Sequence, residues 1–319
     1  MRVMITGGAG FIGSTLTEFL LEDCLVSKPE EVCVLDALTY AGKLENLSEC
    51  FKKSNFHFAH GDINDLDLVS SIIEKCDVVI NLAAETHVDR SILEPTKFIE
   101  TNVNGTLNLL NAVRRKPSVK FVQVSTDEVY GSIKDGYWSE EMPLAPNSPY
   151  SASKAAADLL CLSYFKTYGL NISVTRCSNN YGPRQFPEKL IPLAITKILK
   201  GEKVPVYGDG LNQREWIHVG DHAEAIWRVA TKGKPGEVYN IGSGKEFTNL
   251  EIVSALANRL GRGGDVIEFV EDRPGHDFRY ALNSGKIRSE LNFFPKIDFD
   301  EGLNQTIDWY INFGQKKPM

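Results

Sequence analysis

The first thirteen residues constrain the fold of this chain more than any other stretch. Val3-Met4-Ile5-Thr6 is an apolar, β-branched run that leads into Gly7-Gly8-Ala9-Gly10-Phe11-Ile12-Gly13 and then into a helical pattern over Ile12–Leu21. Glycines at 7, 10 and 13 permit a tight turn, close approach of backbone to a pyrophosphate, and close packing of helix on strand. The free N–H groups at the helix N-terminus complement the phosphate. The G-x-x-G-x-x-G spacing departs from the commoner G-x-G-x-x-G, and a lone glycine motif can be a plain turn. The rest of the chain decides between the two.

Short apolar runs recur at Arg2–Thr6, Val32–Leu35, Phe56–Ala59, Val78–Leu82, Phe121–Ser125 and Ile172–Arg176. Helical patterns separate them, at Leu66–Lys75, Thr96–Arg115 and Ser151–Tyr168 among others. Strands buried on both faces and alternating with helices predict an α/β fold with a doubly wound parallel Rossmann-type sheet. Ligands are then expected at the carboxyl ends of the strands. After about Asn180 the pattern is broken by Tyr181-Gly182-Pro183, Pro187 and Pro192. Short strands (Val204–Tyr207, Glu237–Ile241, Val266–Val270) and helices (Asp221–Thr231, Asn249–Leu260) follow. The expected division is residues 1–180 for a dinucleotide and 181–319 mainly for substrate, as a smaller α/β subdomain interleaved with the first.

Composition excludes several classes. The net charge of -7 argues against a nucleic-acid binder, which needs a surplus of Lys and Arg on one face. The six cysteines, Cys24, Cys33, Cys50, Cys76, Cys161 and Cys177, are scattered without C-x-x-C spacing, so neither a disulfide framework nor a metal site is expected. No apolar run approaches the ~18 residues of a membrane span. The glycine motif also leaves no room for a signal peptide after Met1, so the expected compartment is the cytoplasm.

Asp36 ends the second strand, where a carboxylate would accept hydrogen bonds from the adenosine ribose and repel a 2′-phosphate, which selects NAD over NADP. Asp62-Ile63, ending the third, would lie against the adenine. Tyr150-Ser151-Ala152-Ser153-Lys154 places a phenol and an ammonium one helical turn apart. The ammonium, with the positive nicotinamide of NAD, is expected to favour the phenolate, a base able to take a proton from a hydroxyl. Ser125-Thr126-Asp127-Glu128-Val129-Tyr130-Gly131 leaves the end of a central strand. An arbitrary Asp-Glu is usually a solvated turn; here the strand end and its neighbours favour a working pair. Thr126 offers a hydroxyl to the reacting oxygen. Two close carboxyls push one pKa up, so one can donate a proton while the other accepts one.

Together with Asp36–Gly42, Ala83–Ser91, Arg176–Pro183, Pro187–Pro192 and Asp272–Asp277, these segments closely resemble the extended short-chain dehydrogenase/reductase family over nearly the full length. Within it the likeness is to the sugar-nucleotide 4,6-dehydratases. The resemblance implies NAD-dependent conversion of dTDP-glucose to the 4-keto-6-deoxy sugar nucleotide by a homodimer paired through Thr96–Arg115 and Ser151–Tyr168. It implies catalysis by Thr126, Asp127, Glu128, Tyr150 and Lys154, with Asp127 as acid and Glu128 as base. The implied cofactor residues are Gly7, Gly10, Phe11, Ile12, Gly13, Asp36, Leu38, Thr39, Asp62, Ile63, Leu82, Ala83, Ala84, Thr86, Thr101, Tyr150, Lys154 and Asn180. Thr86, Thr126, Asn179, Glu188, Lys189, Leu190, Pro205, Tyr207, Arg214, Asn249, Arg273 and His276 would hold the substrate. Arg214 and Arg273 suit a diphosphate through forked hydrogen bonds. His87 and His276 receive no proton-transfer role. One departure from the family is the short segment between Gly131 and Ser139-Glu140-Glu141.

The alternatives are a UDP-sugar 4,6-dehydratase, and less closely a 4-epimerase or a UDP-glucuronate decarboxylase. Epimerases typically carry small residues where Asp127 and Glu128 stand, and decarboxylases usually lack the Asp. A Rossmann-fold binding protein without catalysis would need a broken catalytic group, and all five residues are present.

Overall fold

A computed structural model describes residues 1–22 and 27–313. In chain order its first half contains β1 (Arg2–Thr6), α1 (Phe11–Leu21), β2 (Glu31–Asp36), β3 (Phe56–His60), α2 (Leu66–Ile73), β4 (Val78–Asn81), α3 (Val88–Leu93), α4 (Pro95–Phe98), α5 (Thr106–Arg115), β5 (Lys120–Thr126), α6 (Pro149–Tyr168) and β6 (Ile172–Cys177). The second half adds β7 (Asn179–Tyr181), α7 (Leu190–Lys200), β8 (Val204–Tyr207), β9 (Gln213–His218), α8 (Val219–Lys232), β10 (Val238–Ile241), β11 (Glu246–Thr248), α9 (Asn249–Arg259), β12 (Ile267–Val270), α10 (Gly285–Leu291) and α11 (Phe299–Asn312).

Seven strands form one parallel sheet in the order β10-β6-β5-β4-β1-β2-β3. Strand order reverses between β1 and β4, which opens a crevice beyond their carboxyl ends. Every residue of β5 is buried, the signature of a central strand covered on both faces. One apolar cluster packs α1 and α8 on one face, and another packs α2, α5 and α6 on the opposite face. β11-β9-β7 and β12-β8 make two small sheets around a third cluster that includes α7, α9 and α11. β10 belongs to the large sheet although it follows α7–α9's first members in the chain, so the two halves share backbone hydrogen bonds rather than a linker.

Local chemistry explains the boundaries. Ser148 and Ser151 form a reciprocal capping box at the start of α6, Pro149 occupies its first turn, and Gly169 closes it with φ +69°. The continuous helix expected over Thr96–Arg115 is instead α4, a π-helical segment Ile99–Gly105, and α5. The wider π turn directs Asn102 inward, where its amide bonds Glu85 N (2.9 Å), Glu85 O (3.1 Å) and Ser153 Oγ (2.8 Å). This ties the loop after β4 to α6. β7 and β11 escape sequence reading because each has three residues, and β9 because its buried positions carry Arg214, Glu215 and His218 alongside Trp216 and Ile217. The short segment after Gly131 folds back so that Trp138 stacks on Tyr130 at 5.6 Å and donates from Nε1 to Gly131 O. Cys33, Cys50, Cys76, Cys161 and Cys177 are free thiols, and Cys24 lies outside the described residues. Among the described residues no helix is long and apolar enough to cross a membrane.

One ion pair sits inside the core. Arg176 in β6 is 2% exposed and Asp158 in α6 is 0% exposed, with Nε to Oδ2 at 2.9 Å. Arg176 Nη1 donates to Tyr130 Oη (2.8 Å), which donates to Asn240 Oδ1 (2.9 Å), so the pair links β6, α6, β10 and the turn after β5. Removing one partner strands the other charge out of water. Arg176→Met is expected to cost ~3–5 kcal/mol in urea unfolding, whereas combining it with Asp158→Leu should recover most of that loss.

Candidate active site

The crevice at the reversal of strand order is a cavity of about 310 Å³. Gly7, Gly10, Phe11, Ile12 and Gly13 line one end of it. Gly7 has φ +68°, and a Cβ there would stand 2.8 Å from the Ala83 backbone; a Cβ on Gly13 would stand 2.2 Å from Gly7 O. The turn therefore admits only glycine at these positions. α1 has no side-chain cap, which leaves its first N–H groups facing the cavity for an anion. Asp36 also lines the cavity, with Oδ2 accepting from Ala9 N (2.8 Å) and Oδ1 from Leu38 N (2.8 Å). Each oxygen keeps a lone pair for a ribose hydroxyl, and its charge opposes a 2′-phosphate. An uncapped helix N-terminus, a glycine cradle and this carboxylate fit NAD.

Thr39, Asp62, Ile63, Leu82, Ala83, Ala84, Thr86, Thr101 and Asn180 line the same cavity. Gly105 makes room for Ile63, since a Cβ on it would approach Ile63 Cδ1 to 2.4 Å. Leu38 does not line the cavity. Its backbone adopts φ +51° and its side chain packs on the core beneath, so its contribution is the shape of the turn.

Thr126, Asp127, Glu128, Tyr150 and Lys154 converge at the opposite end of the cavity. The strand β5 delivers Thr126, and one 3₁₀ turn, Asp127–Tyr130, delivers both carboxyls. Thr126 Oγ1 donates to Asp127 Oδ1 (3.1 Å) and accepts from Glu128 N (3.3 Å). Gly131 ends the turn at φ +77°, where a Cβ would stand 2.3 Å from Ala145 O. Burial drives the Asp127 carboxyl well above the usual range, and the Glu128 and Glu215 charges push it further. Burial also raises Glu128, but Lys189, Arg273 and Arg214 pull it back. The two carboxyls are thus unequal, with the stronger upward drive on Asp127.

Tyr150 and Lys154 differ from expectation. Lys154 Nζ donates to Val124 O (2.7 Å), and burial lowers its pKa. The Tyr150 phenol is driven well above 10, first by burial and then by Glu128, Cys177 and Asp127, against a hydrogen bond with Thr126. Burial is the main force holding the phenol protonated, with the anions adding to it, so the phenolate depends on positive charge entering the cavity.

Asn179, Glu188 and Lys189 line the cavity on its substrate side. Lys189 Nζ donates to Thr86 O (3.0 Å), and Glu188 Oε2 faces Arg90 at 3.1 Å and His87 at 3.7 Å. Leu190 begins α7, whose N-terminus has no side-chain cap. Pro205, Tyr207, Arg214, Asn249, Arg273 and His276 lie outside the cavity lining. Arg273 faces Asp89 at 3.5 Å with its Nε buried and unpartnered, and Tyr207 meets His276 edge-on at 6.2 Å. Pro205 sits in β8 opposite Glu268, and Asn249 opens α9. Arg214 is 5% exposed and held by the protein's own backbone. Its Nη atoms donate to the carbonyls of Gln213, Asp277 and Phe278, and it lies 4.4 Å from the Tyr280 ring, because a buried guanidinium must satisfy its donors. Its charge nevertheless reaches Glu128.

Sequence reading missed Tyr40, Phe186, Cys177 and Ser178, which also line the cavity. Tyr40 packs edge-on to Phe186 at 5.4 Å under the Arg90 guanidinium at 4.0 Å, joining α3 and two loops far apart in sequence. No local signal marks such a contact.

The model of a family described as GDP-mannose 4,6 dehydratase matches residues 4–306. The chain is 51% identical to a dTDP-glucose 4,6-dehydratase of Streptomyces niveus, over 97% of this chain and 93% of that protein. Among solved structures it resembles DesIV, a dTDP-glucose 4,6-dehydratase of Streptomyces venezuelae with NAD and dTDP bound, at TM-score 0.96 and 48% identity, covering 98% of each chain. It also resembles the dTDP-glucose 4,6-dehydratase of Bacillus anthracis in complex with NAD, at TM-score 0.92 and 47% identity, covering 99% of this chain and 98% of that one.

Gly7→Ala and Gly13→Ala test the cradle. Each is expected to purify without nucleotide and with a lowered Tm, measured by the dinucleotide released on denaturation and by thermal unfolding.

Proposed function

The chain belongs to the GDP-mannose 4,6-dehydratase family, and from that premise we infer that it is an NAD-dependent dTDP-glucose 4,6-dehydratase. It removes water across C5 and C6 of the sugar to give dTDP-4-keto-6-deoxyglucose. The observation that carries the reaction type is the pair of electrostatically unequal carboxyls at the end of β5, Asp127 buried and Glu128 partly buried. Elimination needs one group that gives a proton and another that takes one, and such a pair supplies both.

In this mechanism Tyr150 accepts the proton of the sugar 4-hydroxyl, with Thr126 holding the same oxygen. NAD, when bound, supplies the transient oxidation at C4 that makes the C5 proton acidic and that is reversed at C6. Burial, with Glu128 adding to it, holds the Tyr150 phenol protonated until a cation enters the cavity. Lys154 brings a fixed cation to the end of β5. Glu128, kept the more acidic by Lys189, Arg273 and Arg214, removes the C5 proton. Asp127, kept the more basic, is protonated beforehand and delivers its proton to the departing 6-hydroxyl. Asp127, at 1% exposure, is held away from bulk water between the two steps.

The roles of the remaining residues follow the same reading. Gly7, Gly10, Phe11, Ile12 and Gly13 hold the pyrophosphate, Asp36 the ribose, and Asp62 and Ile63 the adenine. Asn179, Glu188, Lys189 and Leu190 approach the sugar nucleotide from the cavity side, while Pro205, Tyr207, Asn249, Arg273 and His276 hold its nucleotide end. Residues 1–180 carry the cofactor and residues 181–319 mainly the substrate, interleaved through β10. Leu159 and Tyr168 of α6 are 58% and 46% exposed, which supports a homodimer paired through α5 and α6. A cytoplasmic location suits the free thiols.

Incubation with dTDP-glucose should give a 4-keto-6-deoxy product, seen by its absorbance in alkali; an unchanged sugar or a C4 epimer would overturn the reading. A higher kcat/KM for UDP-glucose or UDP-N-acetylglucosamine would favour the UDP-sugar dehydratase instead. Asp127→Asn and Glu128→Gln should each slow dehydration ~10²-fold or more while retaining bound NAD. Wild-type turnover in both would remove their assigned roles.

A further inference from the structure

One segment of the second half is tied to the first half on both sides of the cavity. Arg184, Gln185, Phe186, Glu188 and Lys189 all line it, as do the glycine turn and the Thr126–Glu128 turn at its two ends. Where the segment begins, Arg184 Nη1 and Nη2 each donate to one carboxylate oxygen of Glu18 in α1, the second at 2.6 Å. Nη1 also reaches Asn46 O at 3.3 Å, and Asn46 Nδ2 donates to Ala9 O of the glycine turn at 2.8 Å. Arg184 adopts φ +70°, a left-handed backbone that a residue with a Cβ keeps only when its surroundings hold it. In the middle, Phe186 packs on Tyr40 from the loop after β2, and the Gln185 carbonyl accepts from Tyr310 Oη of α11. At the far end Glu188 pairs with Arg90 of α3, and Lys189 Nζ donates to Thr86 O.

The two ends are not held alike. The Arg184–Glu18 fork is bidentate, with side chains 18% and 30% exposed, whereas one 3.1 Å bond joins Glu188 to an arginine that is 46% exposed. A forked, partly buried pair resists opening, and a single contact to an exposed guanidinium is contested by water. We propose that Arg184 is a positioning residue that keeps NAD resident: through Glu18 it pins the segment Arg184–Lys189 over the cofactor end of the cavity, while the Arg90 end yields to substrate and product. The proposal rests on the 4,6-dehydratase reading above. A cofactor restored at the end of each cycle has no need to leave, and its loss in mid-cycle would strand an oxidised sugar. The fork stands on the helix whose N-terminus meets the pyrophosphate, and the Asn46 relay reaches the glycine turn itself. The segment and the phosphate cradle are thereby one unit.

Exchange of bound NAD is the measurement, with purified holoenzyme mixed into an excess of isotopically labelled NAD. Arg184→Glu and Glu18→Arg should each speed release about tenfold or more, the scale of losing one charge-assisted fork. The combined Glu18→Arg/Arg184→Glu variant restores opposite charges and should return to within about threefold of wild type. With saturating NAD, kcat for dTDP-glucose should stay near wild type in all three, since the reacting groups are untouched. Without added NAD, the activity of the two single variants should fall on dilution. Arg90→Met should leave NAD release unchanged and alter KM for dTDP-glucose instead, a split that a general loss of stability does not produce. Should Arg184→Glu fail to fold, Glu18→Gln removes one charge from a partly exposed position and is read by the same exchange. Unchanged release in the folded single variants would overturn the proposal, as would a combined variant that loses NAD as fast as they do. Faster NAD release in Arg90→Met would overturn it too. A wild type that retains NAD yet leaves dTDP-glucose unaltered sinks the dehydratase reading, and the exchange rates still decide the role of Arg184.

Discussion

Withdrawing two neighbouring carboxyls from water is the constraint around which the site is organised. An ionised carboxylate buried without compensation is costly, and two in succession repel each other as well. Asp127 and Glu128 are tolerated because β5 is a central strand, buried along its whole length, and because the turn after it is closed by Gly131 and held by Thr126. Cations from β9 and from the segments around Lys189 and Arg273 then pull on Glu128. The second half of the chain is thus not merely a cover for substrate. It supplies the charges that make the first half's strand end chemically useful.

The same logic explains why the halves are interlocked rather than hinged. β10 hydrogen-bonds to β6, and Asn240 at its centre accepts from Tyr130, which belongs to the catalytic turn. Arg176 and Asp158 extend that connection into α6, the helix that carries Tyr150 and Lys154. Relative movement of the halves would break buried ionic hydrogen bonds before it altered the site. A reaction that oxidises, eliminates and reduces at neighbouring carbons needs its groups held in one arrangement throughout.

Much of this was legible in the chain. The glycine turn, the first six strands and the helix bearing Tyr150 and Lys154 are local patterns, and each lies within two residues of its expected place. The adjacent carboxyls could be located but not told apart, because what separates them arrives from β9 and from residues 189 and 273. β9 itself was invisible, since the burial of Arg214, Glu215 and His218 erases the alternation that marks a strand. The π segment was hidden for a related reason. An extra residue in a helical turn leaves the apolar period almost intact, and only the inward amide of Asn102 betrays it. Arg214 could be located, but two of the three carbonyl oxygens that hold it come from a loop 63 and 64 residues away.

Asp36 joins two properties that are usually discussed separately. Its carboxylate would meet the ribose, yet each of its oxygens already holds a backbone amide, one in the glycine turn and one at the left-handed Leu38. Exchanging it for a neutral or basic side chain to admit a phosphorylated cofactor would also orphan two partly or wholly buried N–H groups, each costing ~1–3 kcal/mol. Cofactor preference in this chain is therefore inherited together with the conformation of its phosphate loop. A lineage could change one only by rebuilding the other.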